Sequence, residues 1–187
     1  MLRRVDGSNS PLAALVEAAR AGDRAAYAEL YERFRGAVHG VILARVSRAD
    51  AQDLVQDTFV AGWARLDDLR EAAAFPGWFL EIARRRAIDH ARRTKRPPAE
   101  LDDEAAARAS VEPTHRRFDP EHSAEAKQAL ALLRTLPDAY RETLILRLVE
   151  GMSGPEIAAV TGMKPESVRV NLCRGMKLLK EKLGGEP

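Results

Sequence analysis

One cysteine, Cys173, serves the whole 187-residue chain, which excludes an internal disulfide framework and any cysteine-based zinc cluster. Aromatics make up only 5% of the residues against an apolar share of 45%. Much of that share is alanine, so the composition suits helices better than sheets. No apolar run approaches the ~18 residues of a membrane span. The best, Ala37 to Val46, is broken by His39, Gly40 and Arg45. Arg3, Arg4 and Asp6 lead straight into an amphipathic helix, leaving no signal-peptide core. Thirty basic residues face 28 acidic ones, a net charge of +2, so any basic surface must be local. The expectation is a soluble, mostly helical protein of a reducing compartment, with one or two domains.

Charge is uneven along the chain, and the unevenness marks the domain plan. Phe79 to Arg96 holds seven basic and two acidic residues, a local net of +5. Pro97 to Ala126 holds eight acidic and three basic residues, a net of −5, with Pro97, Pro98, Pro113 and Pro120 among them. Met163 to Lys182 is basic again, six against two. The middle segment lacks a sustained helical period and reads as an exposed, flexible acidic linker. The expected fold is all-α: one small helical domain over 1–96, the linker over 97–126, and a second helical domain over 127–187.

In the first domain Ser10-Pro11 opens a short helix that Gly22 stops. Asp23 caps a longer helix whose Tyr27, Leu30, Tyr31, Phe34, Val38, Val41 and Ile42 share a face. A third helix begins near Ala49 and carries Leu54, Val55, Phe59 and Trp63. A loop over Asp67 to Gly77 follows. A fourth helix runs from Trp78 to about Thr94, apolar through Phe79, Ile82, Ala83 and Ile88, with a ladder of arginines opposite and Pro97-Pro98 as its stop.

In the second domain a helix over Ala124 to Thr135 precedes one with Tyr140, Leu144, Ile145 and Leu148 inward, ended by Gly151. Ser153 and Glu156 form a capping box for a short helix that stops at Thr161-Gly162. A basic helix then runs from about Lys164 to Leu183. Short helix, glycine turn and longer helix are the helix-turn-helix arrangement. Val168, Leu172, Gly175 and Leu179 form its inward stripe, with Gly175 letting the two helices approach. Arg169, Val170, Cys173, Arg174 and Lys177 are left facing outward. Such a face suits a DNA major groove, where arginine reads guanine and lysine meets phosphate. The plainer reading is a solvated basic face, with Cys173 a small spectator.

Arg84, Arg85, Arg86, Arg92, Arg93, Lys95 and Arg96 follow directly on Phe75, Trp78 and Phe79. Cations beside flat rings are what single-stranded nucleic acid needs, and the 67–77 loop is a candidate base pocket. The competing view makes the rings core and the arginines mere solubilisers; core suits Phe79, nucleic acid suits the arginines as a group. On the third helix Asp53, Gln56 and Asp57 share one face at i, i+3 and i+4. No convergent histidine or glycine loop accompanies them, and His39, His90, His115 and His122 show no ligand spacing. No catalytic residue, metal or cofactor is therefore expected. A solvated face and a docking patch both remain open.

Three stretches carry a family resemblance. The run Asp53-Leu54-Val55-Gln56-Asp57-Thr58-Phe59, with Trp63 after it, resembles the core-polymerase-binding helix of bacterial RNA polymerase sigma factors. Phe75-Pro76-Gly77-Trp78-Phe79-Leu80-Glu81-Ile82-Ala83-Arg84, then Ala87-Ile88-Asp89-His90 and Arg92-Arg93, is similar to the adjoining helix that melts and reads the −10 element. Glu156-Ile157-Ala158, Ser167-Val168-Arg169 and Arg174 resemble the −35-reading helix-turn-helix. The motifs follow the family's order, with no room for the acidic N-terminal or middle domains of housekeeping members. That plan resembles the extracytoplasmic-function (ECF) group of the sigma-70 family.

The resemblance implies a cytoplasmic transcription initiation factor rather than an enzyme, without cofactor or membrane insertion. It implies core RNA polymerase, double- and single-stranded promoter DNA and an anti-sigma factor as partners. By position, Asp53, Gln56 and Asp57 would dock on the clamp helices of the polymerase's largest subunit, with Phe59 and Trp63 mostly core. Phe75, Trp78, Arg84, Arg85, Arg92 and Arg93 would hold the −10 strand, the 67–77 loop receiving a flipped base. Ser167, Arg169, Val170, Asn171, Cys173, Arg174 and Lys177 would meet the −35 element. The chain departs from the family pattern at Arg85, where asparagine is frequent, at Val170-Asn171 in place of Ser-Arg, and at Met176 in place of arginine.

A stand-alone helix-turn-helix regulator is the alternative, and it leaves the Asp53-to-Trp63 motif unexplained. A helical enzyme built on the paired carboxylates lacks a nucleophile, metal site or phosphate loop. Geometry constrains the linker: promoter elements about two helical turns apart are separated by ~70 Å. A segment of its length reaches at most ~100 Å extended but only ~30 Å as a relaxed coil, so it must be held extended.

Overall fold

The computed structural model describes residues 11–94 and 124–184, and among them there are helices but no strand. The Ser10 cap, Lys95, Arg96, the Pro97-Pro98 stop and most of the 97–126 linker lie outside the described residues. The first module comprises α1 (Pro11–Arg20), α2 (Arg24–Leu43), α3 (Arg48–Ala64) and α4 (Phe75–Thr94). The second comprises α5 (Ala124–Arg134), α6 (Asp138–Leu148), α7 (Gly154–Thr161) and α8 (Pro165–Lys182).

Local chemistry sets the helix boundaries. Gly22, at φ +93°, takes a turn that side chains resist. Asp23 then accepts from the amides of Ala25 and Ala26 at 2.8 and 3.1 Å, satisfying two orphan donors of α2. Ser47 does the same for α3, accepting from the Asp50 amide at 3.2 Å. In front of α7 the capping box is complete: the Ser153 oxygen accepts from the Glu156 amide and the Glu156 carboxylate from the Ser153 amide. Those contacts hold the Glu156 carboxyl below its ordinary range, chiefly through the Ser153 side chain. Their stabilisation is present at neutral pH and fades as pH falls through that lowered pKa. Ser153→Ala should cost the second module about 1 kcal/mol, read as a lower thermal midpoint, and should return Glu156 towards its ordinary titration.

Phe34, Phe59, Phe75 and Phe79 form the centre of the first module, none more than 4% exposed. Phe79 stacks on Phe75 at 5.1 Å and meets Phe59 edge-on at 4.9 Å. Gly62 of α3 makes room for it, since a methyl there would fall 2.4 Å from the Phe79 ring. The fourth helix starts at Phe75, not at Trp78. Much of the expected 67–77 loop is tied up in two single 3₁₀ turns, Leu66–Asp68 and Ala72–Ala74. In the second module α8 packs on α6. A methyl at Gly175 would lie 2.9 Å from Leu144 Cδ1 and 3.1 Å from Tyr140 Cβ. The close approach at Gly175 is therefore to α6, not to the preceding helix of the motif.

The two modules are in contact, which the sequence did not announce. Leu144 and Ile145 are fully buried as expected, but so is Leu146, while Leu148, expected inward, is 37% exposed. The reason is that α6 is covered on two sides, by α8 and by α2. Gly36 and Gly40 of α2 leave a seat for Leu146, Glu150 and Met152. The C-terminal end of α2 leaves carbonyls without helical partners, and the second module caps them. Arg134, 2% exposed, donates to the Leu43 and Val46 carbonyls at 3.2 and 2.8 Å. Arg141 donates to the Ala44 carbonyl at 3.3 Å. Cations are favoured at that end by the helix dipole as well.

Candidate nucleic-acid interface

Helical spacing divides α3 cleanly. Leu54, Val55, Thr58 and Phe59 are buried, and Asp53, Gln56 and Asp57 all face solvent on the opposite side. Asp57 is 3.6 Å from Arg86 of α4. The stripe thus offers two carboxylates and an amide outward, with one carboxylate already beside a cation. Trp63, expected mostly in the core, is 38% exposed but rests edge-on against Tyr27 at 4.6 Å.

On α4 the arginines divide between two faces. Arg85 is 73% exposed and pairs with Glu81 one turn earlier at 3.0 Å. That hydrogen bond is the main reason the Glu81 carboxyl sits below its ordinary range. Arg92 and Arg93 are exposed at the end of the helix. Between α3 and α4 runs a groove of about 650 Å³, lined by Leu54, Ala61 and Ile82, by Arg65, Arg85, Arg86, Arg92 and Arg93, and by one carboxylate, Asp89. Apolar surface beside five guanidiniums matches a strand with phosphates and unstacked bases. Arg84 is elsewhere: it faces the second module and grips Glu142 of α6.

The aromatics need a correction. Phe75, expected to meet a base, is 1% exposed and packed against Phe34, Trp78 and Phe79. It is a core residue because α4 begins at Phe75 and turns its ring into the module. Trp78 is half-buried, its ring 6.4 Å from that of Phe79. Ile88, expected inward, is 36% exposed.

The helix-turn-helix has the expected exposure except at Leu172, expected inward, which is half-buried. Val168, Gly175 and Leu179 are buried, and Ser167, Arg169, Val170, Cys173, Arg174 and Lys177 face outward. Asn171 is half-buried. Gly162 closes α7 at φ +70°. Among the described residues no helix is long and apolar enough to cross a membrane.

A pair of small helical modules, one bearing a basic helix-turn-helix and the other a basic helix beside a carboxylate stripe, defines a DNA-binding protein of the transcription machinery. Residues 30–97 match the family Sigma-70 region 2, and residues 126–179 match Sigma-70, region 4. The RNA polymerase sigma factor CnrH of Cupriavidus metallidurans is 33% identical over 177 residues, spanning 86% of this chain and 87% of that protein. The ECF RNA polymerase sigma-E factor of Haemophilus influenzae is 29% identical over 91% of this chain and 94% of its own length. The solved structure of CnrH in complex with the cytosolic domain of CnrY superimposes with a TM-score of 0.59 at 26% identity, covering 91% of this chain and 96% of that one. The chain belongs to the ECF group of the sigma-70 family, the initiation factors that bind core RNA polymerase and direct it to promoters.

Proposed function

We propose that the exposed stripe of α3 is the grip on core polymerase, with Asp53, Gln56 and Asp57 docking on the clamp helices of its largest subunit. Arg84, Arg85, Arg92 and Arg93 of α4, with Trp78, hold the melted −10 strand. The outer face of α8, from Ser167 through Arg169, Val170, Asn171, Cys173 and Arg174 to Lys177, meets the −35 duplex. The domains run over 1–96 and 127–187, and the acidic segment 97–126 spans the gap between promoter elements. The factor works in the cytoplasm, catalyses no reaction of its own, and is restrained by an anti-sigma factor that covers these surfaces.

The observation that carries this reading is the division of α3: its carboxylate stripe is wholly outward while every apolar residue between is buried. An acidic stripe steers and orients a basic partner, and the exposed Arg85, Arg92 and Arg93 of α4 and the outer face of α8 are left for DNA. The test is run-off transcription with purified core polymerase, comparing the natural chain with Asp53→Ala/Gln56→Ala. Each truncation leaves the buried face of α3 intact, so helicity should hold while initiation falls at least about tenfold, the factor for ~1.4 kcal/mol of lost docking. Undiminished initiation by the double variant would overturn the assignment. So would a chain that ignores core polymerase yet occupies a duplex site tightly by itself.

A further inference from the structure

Arg84 is one of the residues assigned above to the −10 strand, and in this structure its guanidinium is already occupied. Glu142, in the middle of α6, accepts from Arg84 Nη2 at 2.6 Å and from Arg84 Nε at 3.0 Å. The same carboxylate accepts from Arg45, in the turn just after α2, at 3.3 Å. The Glu142 side chain is 9% exposed and that of Arg45 7%. A two-pronged grip on a planar guanidinium is also how arginine takes a phosphate. A carboxylate placed so occupies the donors that a DNA backbone would need. The pairing strengthens the proton hold of Arg84, chiefly through its hydrogen bonds to Glu142.

The rest of the interface between the modules lies along α2 and the start of α4. Gly162, in the turn of the helix-turn-helix, sits against the backbone of Gly77, where a methyl would lie 3.7 Å from the Gly77 nitrogen. That places the turn over the start of α4, next to Trp78. His39 of α2 meets Glu150 at 2.6 Å, beside the seat that Gly36 and Gly40 provide. The two modules therefore touch along α2 and α4, whereas promoter elements about two helical turns apart demand sites ~70 Å from each other. The chain cannot stay closed in this way and engage both elements.

We propose that this arrangement is a self-closed state of the free factor, clasped by Glu142, which holds Arg84 out of use until the modules part. The consequence for DNA rests on the assignment of Arg84 above; the clasp itself does not. Breaking a buried ion pair by removing one partner leaves the other charge stranded. Here both partners of Glu142 lie on the other module, with Arg84 25% exposed and still 3.5 Å from Glu81, and Arg45 still paired with Asp138 at 3.2 Å, so the loss should appear as opening rather than unfolding.

The test uses the full chain, free of polymerase and DNA, with spin labels on native Cys173 and on Glu29→Cys, both exposed positions on different modules. The closed state gives one narrow distance distribution. Glu142→Gln should raise the ratio of open to closed chains about tenfold or more, seen as longer and broader distances with unchanged helicity. Gly40→Leu is an independent wedge: even a methyl at Gly40 would fall 2.7 Å from Leu146 Cδ2, while Glu142 and Arg84 stay as they are. It should open the chain as well. A natural chain already broad, or two variants that stay closed, would overturn the clasp. A chain that opens on Glu142→Gln yet fails to initiate with core polymerase supports the clasp and refutes the promoter roles instead.

Discussion

Phe79→Ala should lower the thermal midpoint of the first module by roughly 12 °C or more. Phe79 is fully buried, stacked on Phe75 and edge-on to Phe59 and Phe34. Removing a buried aromatic ring costs about 3–5 kcal/mol in lost transfer energy and residual cavity. For a domain of this size each kcal/mol moves the midpoint by about 4–8 °C. The neighbours cannot collapse into the hole cheaply, because three of them are rings held at fixed angles by one another. Against a total stability of about 5–15 kcal/mol, the loss takes a large fraction. Trp78→Ala, which strips a half-buried ring from the rim of the same cluster, should cost distinctly less. Thermal melts followed by circular dichroism decide it. A Phe79→Ala midpoint within a few degrees of the natural chain would mean that the aromatic cluster is not what holds α2, α3 and α4 together.

Phe79 also shows how far the sequence could be read. Its place in a 3.6-residue apolar period with Ile82 and Ala83 was enough to make it core. The helices, the Asp23 cap, the Ser153–Glu156 box and the outward face of α8 were equally legible, because each rests on neighbours within a turn or two. Phe75 was not, because its role depends on where α4 starts. Two 3₁₀ turns and a helix beginning at Phe75-Pro76 replace much of an apparent loop, and turn a would-be base platform into the core. The meeting of the two modules was hidden more deeply. His39, Gly40 and Arg45 stand out in the sequence only as interruptions of an apolar run. In the fold each interruption has a partner: His39 meets Glu150, Gly40 seats Leu146, and Arg45 reaches Asp138 and Glu142. Those partners are about a hundred residues away, so no local period could reveal them. The same long-range packing explains why Leu146 is buried and Leu148 is not. A helix covered on two sides has no single apolar stripe.

Replacing Arg85, Arg92 and Arg93 together by alanine should flatten the salt dependence of −10 strand binding by about two logarithmic units per decade of salt. Each phosphate neutralised on a single strand contributes about 0.7 to that slope through released counterions. Three phosphates left without their arginines therefore amount to roughly a twentyfold difference in how far affinity falls between about 50 and 200 mM salt. These three are the right set because all are exposed and none belongs to the Glu142 clasp. Arg84→Ala would mix weaker DNA binding with opening of the modules. Alanine is the better helix former, so weaker binding cannot be blamed on a frayed α4. Arg85 adds a twist, since its departure leaves Glu81, its partner at 3.0 Å, with only the longer 3.5 Å contact to Arg84 and less screened from the incoming phosphates. Its removal should thus cost more at low salt than a single missing cation would. The measurement is fluorescence anisotropy of a labelled −10 single strand on the factor assembled with core polymerase, titrated across that salt range. An unchanged slope would reduce the arginine ladder to a solubilising surface, and the groove between α3 and α4 would need another occupant.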